Sequence, residues 1–512
     1  MPSKDEFLQR VASGYAAAGE AVELGRAVFD GAVLPEAAVR LPAATMNRHG
    51  LIAGATGTGK TRSLQLIAEQ LSEAGVPVFT ADMKGDLSGM TIPAPPDERV
   101  AARVKEMQLQ WAPSGYPVNF LALGGVGPGV PVRASVASFG PQLLGKVLSA
   151  NETQSSSLSL VFHYARTRRL DLVDLADLRA TLHFLTGEHG RKELSSIGGL
   201  SRATAGVLLR KILELQEMGA DAFFGEPEFG VDDLLRSDSG GRGVISCLEL
   251  PAVQDRPRLF STFMMWLLQS LFDELPEVGD LPKPKLVFFF DEAHLLFSEA
   301  TKSFVEQVAQ TVRLIRSKGV AVFFVTHYPD DIPEDVLGQL GSRIQHALRA
   351  FTPRDARALQ ATVTTYPKTE DYDLEEDLTK LGTGEAMVTV LSETGAPTPV
   401  VWTRMRPPKS LMGAVTEEAI RTSAASSDLW PRLSKRVERE SAGERIEEKL
   451  AGQWEVEVAP AESRGRRPRR SRRRGRRRSA LGSQRLLAVL IFLALVAVIV
   501  AVVVSLSNQA LR

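Results

Sequence analysis

The chain has 512 residues, of which 44% are hydrophobic and 24% are charged, so it can bury a large core. Its length predicts two to four domains, or one large domain with appendages, and its single cysteine, Cys247, excludes a disulfide framework. The chain is neutral overall, but thirteen arginines follow residue 463 without any acid, which leaves a net charge of −13 on residues 1–463. This acidic part argues against a broad nucleic-acid-binding surface.

The hydrophobic pattern predicts an α/β fold in which strands alternate with helices. The run RHGLIAG predicts a buried strand, and a helix over 60–74 and a second strand over 76–83 follow it. Residues 121–132 are rich in Gly and Pro, which predicts loops and short strands. From about 140 to 219 apolar residues recur with a helical period, which predicts a helical insertion. Such alternation favours right-handed βαβ units and a mainly parallel sheet. Further strands are predicted at 243–250, 285–292, 320–327 and 385–392.

A glycine-rich segment lies between the first predicted strand and the first predicted helix. Residues 54–61, GATGTGKT, fit the pattern G-x-x-x-x-G-K-[ST], in which the backbone bends so that its N–H groups surround phosphate oxygens. Lys60 is expected to reach the β- and γ-phosphates and Thr61 to bind Mg²⁺, and the helix N-terminus adds a positive dipole. The pattern predicts that nucleotide is bound by Gly54, Ala55, Thr56, Gly57, Thr58, Gly59, Lys60 and Thr61.

Two carboxylates end the apolar strand at 285–292. The carboxyl end of a parallel strand lies at the edge where the glycine-rich loop is also expected. Asp291 is therefore predicted to hold Mg²⁺, and Glu292 to polarise the attacking water as a general base.

Residues 291–294 also spell DEAH, the name of a helicase box. The S-A-T and Q-x-x-G-R-x-G-R motifs of such helicases are missing from the sequence. The match is therefore interpreted as a coincidence, and His294 is predicted only to start a helix.

Five segments follow one another along the chain: GATGTGKT, VFTADMKGDLSGM, FFFDEAHLLF, the stretch from VRLIRSKGV to RDARAL, and LGTGEAMVTV. In this order they resemble the HerA/FtsK superfamily of motor ATPases. The resemblance covers about residues 20–412 and is narrowest to bacterial HerA-like proteins of the YjgR type. It implies a RecA-like core with a helical insertion, ATP and Mg²⁺ as cofactors, a homo-oligomeric ring such as a hexamer, and DNA or another polymer as substrate.

The resemblance also implies roles for single residues. Lys60 and Thr61 match the Walker A positions, and Asp291 and Glu292 match the Walker B positions. Two further acids match positions near the nucleotide; they are Asp82 and Asp86.

Two arginines and two histidines outside the Walker positions are further candidates. Arg316 matches an arginine that acts on a neighbouring subunit's ATP, where its planar cation would stabilise the transferred phosphoryl group; a surface role on a helix is the alternative. Arg343 is a second candidate for that finger, with a structural role as the alternative. His327 stands where the superfamily usually has glutamine, and its imidazole can donate one hydrogen bond to a phosphate or water. His49 is expected to cap a strand, with contact to the nucleotide base as the alternative.

The C-terminal end combines a basic run with an apolar run. Residues 464–478 contain eleven arginines, and 486–504 are apolar throughout. As a helix this apolar run would span about 28 Å, close to the roughly 30 Å hydrocarbon core of a bilayer. The pattern predicts a single transmembrane helix that places the ATPase at the cytoplasmic face of the cell membrane. The arginines are expected to contact anionic lipid, or to bind nucleic acid as a disordered arm.

Together these patterns predict Mg²⁺-dependent ATP hydrolysis by a membrane-tethered HerA-like motor. The alternatives are a nucleotide-dependent membrane scaffold or switch, and a coupling ATPase for secretion or conjugation. The predicted segments are an N-terminal region (1–45), a P-loop NTPase core in two parts (46–139 and 226–406), the helical insertion (140–225), a linker or outer helix (407–463), the disordered arginine segment (464–480) and the transmembrane helix (486–506).

Overall fold

A computed structural model describes residues 3–297 and 302–458 of the chain. Met1–Trp454 make one compact unit; of a second unit, Glu455–Arg512, the described part is the end of the last helix. Within the described residues one sheet contains twelve strands. They are β1 (Ala21–Phe29), β2 (Ala32–Pro42), β3 (Gly50–Ala53), β4 (Val78–Asp82), β5 (Val118–Leu123), β6 (Val130–Val132), β7 (Ile245–Glu249), β8 (Leu286–Phe290), β9 (Val320–Thr326), β10 (Ser342–His346), β11 (Glu385–Thr389) and β12 (Val401–Met405).

The helices lie mainly between the strands, as in βαβ units. They are α1 (Lys4–Gly14), α2 (Lys60–Glu73), α3 (Glu98–Glu106), α4 (Val136–Val147), α5 (Glu152–Arg168), α6 (Leu175–Thr186), α7 (Arg191–Ser196), α8 (Arg202–Glu217), α9 (Ala220–Phe223), α10 (Pro257–Glu274), α11 (His294–Phe297), α12 (Lys302–Ile315), α13 (Glu334–Leu337), α14 (Pro353–Thr364), α15 (Leu374–Lys380), α16 (Glu417–Ala425), α17 (Trp430–Leu433) and α18 (Ala442–Val458). Helices α4 to α9 follow one another between β6 and β7, in the region where the sequence predicts a helical insertion.

The strand order places several loops at one edge of the sheet. The order is β2-β1-β12-β11-β10-β3-β9-β8-β4-β7-β5-β6. From β10 to β6 every neighbouring pair is parallel, whereas β2, β1, β12 and β11 add an antiparallel end. The carboxyl ends of β3, β9, β8, β4 and β7 therefore meet at one edge, in agreement with the predicted mainly parallel α/β core.

The central strands are apolar along their whole length because helices cover both faces of a parallel sheet. In β8, Phe288 and Phe290 pack into one hydrophobic layer, while Val287 and Phe289 pack into the layer on the opposite face. All four side chains are fully buried. The predicted strands at 285–292 and 320–327 correspond to β8 and β9.

The sequence analysis did not predict β1, β2, β10 and β12. Strand β10 has the sequence Ser-Arg-Ile-Gln-His, which is too polar to be recognised as a buried strand. Its Gln345 and His346 are nevertheless buried. Burial of these side chains depends on their pairing with β3 and β11 rather than on local hydrophobicity.

The predicted fold class is corrected in one respect, the C-terminal transmembrane helix. Among residues 3–297 and 302–458, no helix is both long enough and apolar enough to cross a membrane. The long apolar helix α10 has 18 residues but carries Arg258, Asp273 and Glu274 and packs in the core. The segments 464–480 and 486–506 lie outside the described residues. The predicted single-pass anchor, and with it the location at the cytoplasmic face of the membrane, is therefore corrected.

Candidate functional site

The glycine-rich loop connects β3 to α2 in a conformation that only glycine adopts easily. Gly54 has φ 150° and Gly59, which caps α2, has φ 119°. A Cβ on Gly54 would lie 2.6 Å from the Cβ of His346, so the loop also needs glycine for space. Thr56 and Gly57 form the exposed tip of the loop. The first N–H groups of α2 have no partners within the helix and point to this loop.

Lys60 folds back over the loop. Its Nζ donates to the carbonyl oxygens of Gly54 at 2.7 Å and Ala55 at 3.3 Å, and it lies 3.3 Å from Nδ1 of His327. Burial lowers the pKa of Lys60, although the carboxylates of Glu292 and Asp291 oppose that shift. Thr61 lies half-buried in the first turn of α2. The predicted Walker A and Walker B residues therefore do meet at one edge of the sheet.

Three contacts that the sequence analysis missed support the loop and the first turns of α2. The buried His346, at the end of β10, lies with Nε2 2.9 Å from Oγ of Ser63, and Nδ1 lies 2.8 Å from the carbonyl oxygen of Glu385. The N–H of Gly384 donates to the carbonyl of Thr58. In the sequence, only the family-like stretch LGTGEAMVTV, which contains Gly384 and Glu385, indicated that this region belongs to the site.

Three aspartates converge beside the loop. Oxygens of Asp82, Asp86 and Asp291 lie within 4.8 Å of one another, an arrangement able to hold a metal ion. Burial, and then the charge of Glu292, raises the pKa of Asp291 to about 7. Within the described chain, the buried Oδ2 of Asp291 has no hydrogen-bond partner. Asp82 ends β4 and accepts three backbone N–H groups, from Lys84, Gly85 and Leu87.

Glu292 occupies a strained and crowded position. Its φ of 50° is rare for a residue with a side chain, and such strain is typical of functional sites. Its Oε1 forms an ion pair with Lys84, and its Oε2 lies 3.3 Å from the imidazoles of both His294 and His327. Burial raises the pKa of Glu292, but His327 and Lys84 outweigh burial and lower it to about 2.

Lys84 and Glu249 are site residues that the sequence analysis missed. Lys84 follows β4 and lies within the stretch VFTADMKGDLSGM, in which the sequence analysis assigned roles only to the two aspartates. Glu249 ends β7, next to β4 in the sheet, and Asp82 at the end of β4 pairs with it in register. Burial, and then the charge of Asp82, raises the pKa of Glu249 to about 8.

Three other candidates lie at the opposite edge of the sheet. Arg316 precedes β9, its side chain is partly exposed, and it lies 3.7 Å from Asp280. Arg343 is near the start of β10 and donates to Thr365. His49 precedes β3 and accepts a hydrogen bond from the N–H of Val322, a structural role. None of these three is brought to the glycine-rich loop of its own chain.

Comparisons with known proteins place this geometry in a family. Residues 30–488 match the family described as Helicase HerA-like C-terminal. No curated protein matches the sequence. Similar solved structures include the unbound bacterial conjugative coupling protein TrwBΔN70 (TM-score 0.48, 14% identity, 79% of this chain and 94% of that chain), the plasmid coupling protein TrwB with a GTP analogue (0.49, 14%, 78% and 99%) and VirB4 of Thermoanaerobacter pseudethanolicus (0.47, 13%, 76% and 96%).

The family match spans most of the chain and includes all the loops at the site. It confirms the predicted resemblance to HerA-like P-loop ATPases. The chain belongs to the HerA-like C-terminal helicase family.

Proposed function

We propose that this chain is a Mg²⁺-dependent ATPase that works as a motor on DNA in a homo-oligomeric ring. The observation that carries the proposal is the meeting of the glycine-rich loop with the carboxylates of Asp291 and Glu292 at one edge of a parallel sheet. Membership of a HerA-like helicase family supports DNA as the polymer.

The donor set at this edge fits a magnesium ion. Mg²⁺ prefers oxygen ligands, and the oxygens of Asp82, Asp86 and Asp291 converge there. The buried, unpartnered Oδ2 of Asp291 lacks the hydrogen bond that a buried carboxylate needs, and a cation would satisfy it. Thr61 would add a hydroxyl oxygen. When bound, Mg²⁺ would neutralise charge on the phosphates.

The protein's own groups account for binding and proton transfer. The N–H groups of the loop and of the first turn of α2 would hold the phosphates, and Lys60 would exchange its two carbonyl partners for phosphate oxygens. Glu292 would accept a proton from the attacking water, with its carboxylate oriented by Lys84 and His327. His327 would also contact the γ-phosphate or that water.

The tested quantity is ATP turnover by the full chain, without DNA and with single-stranded or double-stranded DNA. We expect DNA to stimulate turnover, and Lys60→Ala to lower it by about 100-fold or more because the charge that stabilises the phosphates is lost. The matched control is Lys192→Ala, at an exposed position in α7, which should retain wild-type turnover. Wild-type protein with no turnover, or Lys60→Ala with unchanged turnover, would refute the ATPase proposal.

A nucleotide-dependent switch with slow turnover is a second candidate function. The ion pair between Lys84 and Glu292, together with the low pKa of Glu292, supports it because a weakly basic carboxylate abstracts protons slowly. The same assay separates the two functions: a switch predicts slow turnover that neither form of DNA changes. The coupling alternative rested on the predicted membrane anchor, and no helix in the described part of the chain could provide that anchor.

A further inference from the structure

The imidazoles of His294 and His327 converge on the carboxylate of Glu292. Nδ1 of His294 and Nε2 of His327 each lie 3.3 Å from Oε2 of Glu292, and their rings are 5.6 Å apart. His294 is the last letter of the DEAH string, and His327 replaces the expected glutamine. They are 33 residues apart, and the adjacent positions of β8 and β9 bring them together.

These three atoms have the lone pairs and the spacing of a metal site. Within the described chain, neither Oε2 of Glu292 nor Nδ1 of His294 has a hydrogen-bond partner, although both atoms are buried. In a tetrahedral site with bonds of about 2.0–2.1 Å, neighbouring ligand atoms are about 3.3 Å apart. The two observed separations from Oε2 have this value.

We propose that Glu292, His294 and His327 form a second cation site, which takes an imidazole-preferring divalent ion such as Zn²⁺ and thereby inhibits the ATPase. Two nitrogens and one carboxylate oxygen favour Zn²⁺, Co²⁺ or Ni²⁺ over Mg²⁺. The neighbouring aspartates offer oxygen only and suit Mg²⁺. The two sites therefore differ in the class of ion that they select.

The surroundings of the three ligands are compatible with an ion. Lys84 binds the other oxygen of Glu292 and so fixes the carboxylate with Oε2 toward the histidines. An ion bound to Nε2 of His327 leaves the ring proton on Nδ1. Nδ1 can then no longer accept a hydrogen bond from Lys60, but Lys60 keeps its hydrogen bonds to the carbonyl oxygens of the loop. The side chains of His294 and His327 are 33% and 29% exposed, which gives the ion a route from solvent.

The inhibition follows from which lone pair the ion occupies. An ion on Oε2 takes the carboxylate atom that Lys84 leaves free, so Glu292 can no longer accept a proton from water. This consequence rests on the proposed function of Glu292, whereas ion binding does not.

A different cluster nearby is the main competitor for Zn²⁺. Asp82, Cys247 and Glu249 also place ligand atoms within 4.8 Å of one another. All three are buried, and burial, with the charge of Glu249, raises the pKa of the Cys247 thiol, which disfavours the thiolate that binds zinc. The accessible histidine site is therefore the better one.

The binding test is calorimetric titration of the metal-free full chain with Zn²⁺ in the absence of nucleotide. We expect one ion per chain, with His294→Ala and His327→Ala each weakening binding by at least about tenfold because each removes one ligand. His163→Ala, at an exposed helical position, and Cys247→Ser should bind as the wild type does. Loss of binding in Cys247→Ser, or unchanged binding in His294→Ala, would overturn the proposal.

The inhibition test measures turnover with Mg²⁺ and ATP at rising Zn²⁺. Relative to its own turnover without Zn²⁺, His294→Ala should need at least about tenfold more Zn²⁺ for half-inhibition than the wild type does. Equal sensitivity of His294→Ala and wild type would refute inhibition through this site. If the wild type shows no turnover, the proposed ATPase function fails, and the calorimetric titration still decides whether the cation site exists.

Discussion

At the scale of single residues, the site brings several buried carboxyl groups close together. Burial is the first cause that raises the pKa of Asp82 to about 6, of Asp291 to about 7 and of Glu249 to about 8. Mutual repulsion adds to each shift. An acid whose pKa is raised on folding destabilises the protein wherever it would be ionised in the unfolded chain.

Glu249 gives a test of this cost through the dependence of stability on pH. Below its unfolded pKa of 4.5, Glu249 is protonated in both states, so Glu249→Gln should melt like the wild type. As pH rises toward 8, the unfolded chain loses this proton before the folded protein does, and the wild type loses stability. Thermal unfolding in a chelator should therefore show the variant several degrees more stable above pH 8.

The control for this prediction is Glu375→Gln, at an exposed position in α15, which should leave the melting temperature unchanged at both pH values. A gain in Glu249→Gln of equal size at low and high pH would mean that packing, and not ionisation, explains it.

At the scale of elements, aromatic packing between the adjacent strands β8 and β9 positions the edge of the sheet that carries the candidate site. Phe289 in β8 and Phe323 in β9 are fully buried, with ring centroids 5.3 Å apart. Asp291 and Glu292 directly follow β8, and His327 directly follows β9. Packing of the two strands therefore fixes the separation of the groups that we propose act on water.

Removal of one of these rings should destabilise the whole core. Phe289→Ala leaves a cavity and is expected to lower the free energy of unfolding by about 3–5 kcal/mol. Phe351→Ala is the matched control, since Phe351 is 86% exposed, and it should change stability by no more than about 0.5 kcal/mol. Chemical denaturation of both variants is the measurement; similar losses in the two would contradict the proposed importance of this core.

At the scale of the whole molecule, the sheet separates the glycine-rich loop from Arg316. The loop follows the carboxyl end of β3, whereas Arg316 lies before the amino end of β9, which is seven residues long. Such a strand spans about 20 Å, so Arg316 is far from the site in its own chain. A role for Arg316 in hydrolysis therefore requires a second copy of the chain.

Subunit mixing tests that requirement. We expect Lys60→Ala and Arg316→Ala each to be inactive alone. When the two variants are co-expressed, mixed rings should recover activity at about one quarter of their sites, because only there does an intact loop meet an intact arginine of the neighbouring subunit. Co-purification through different tags and ATP turnover are the measurements. Arg313→Ala, an exposed arginine of α12, should be active alone. Mixed rings without activity would exclude Arg316 as a finger in trans.

The sequence by itself determined the glycine-rich loop, the carboxylate pair and the parallel α/β core, because these depend on patterns within a few residues. Only the tertiary structure decided the contacts of Glu292: Lys84 is 208 residues away, and His327 follows a different strand. It also showed that β10 is a strand. The order of strands in the sheet sets such contacts, and that order comes from the packing of the whole core, which no local pattern encodes.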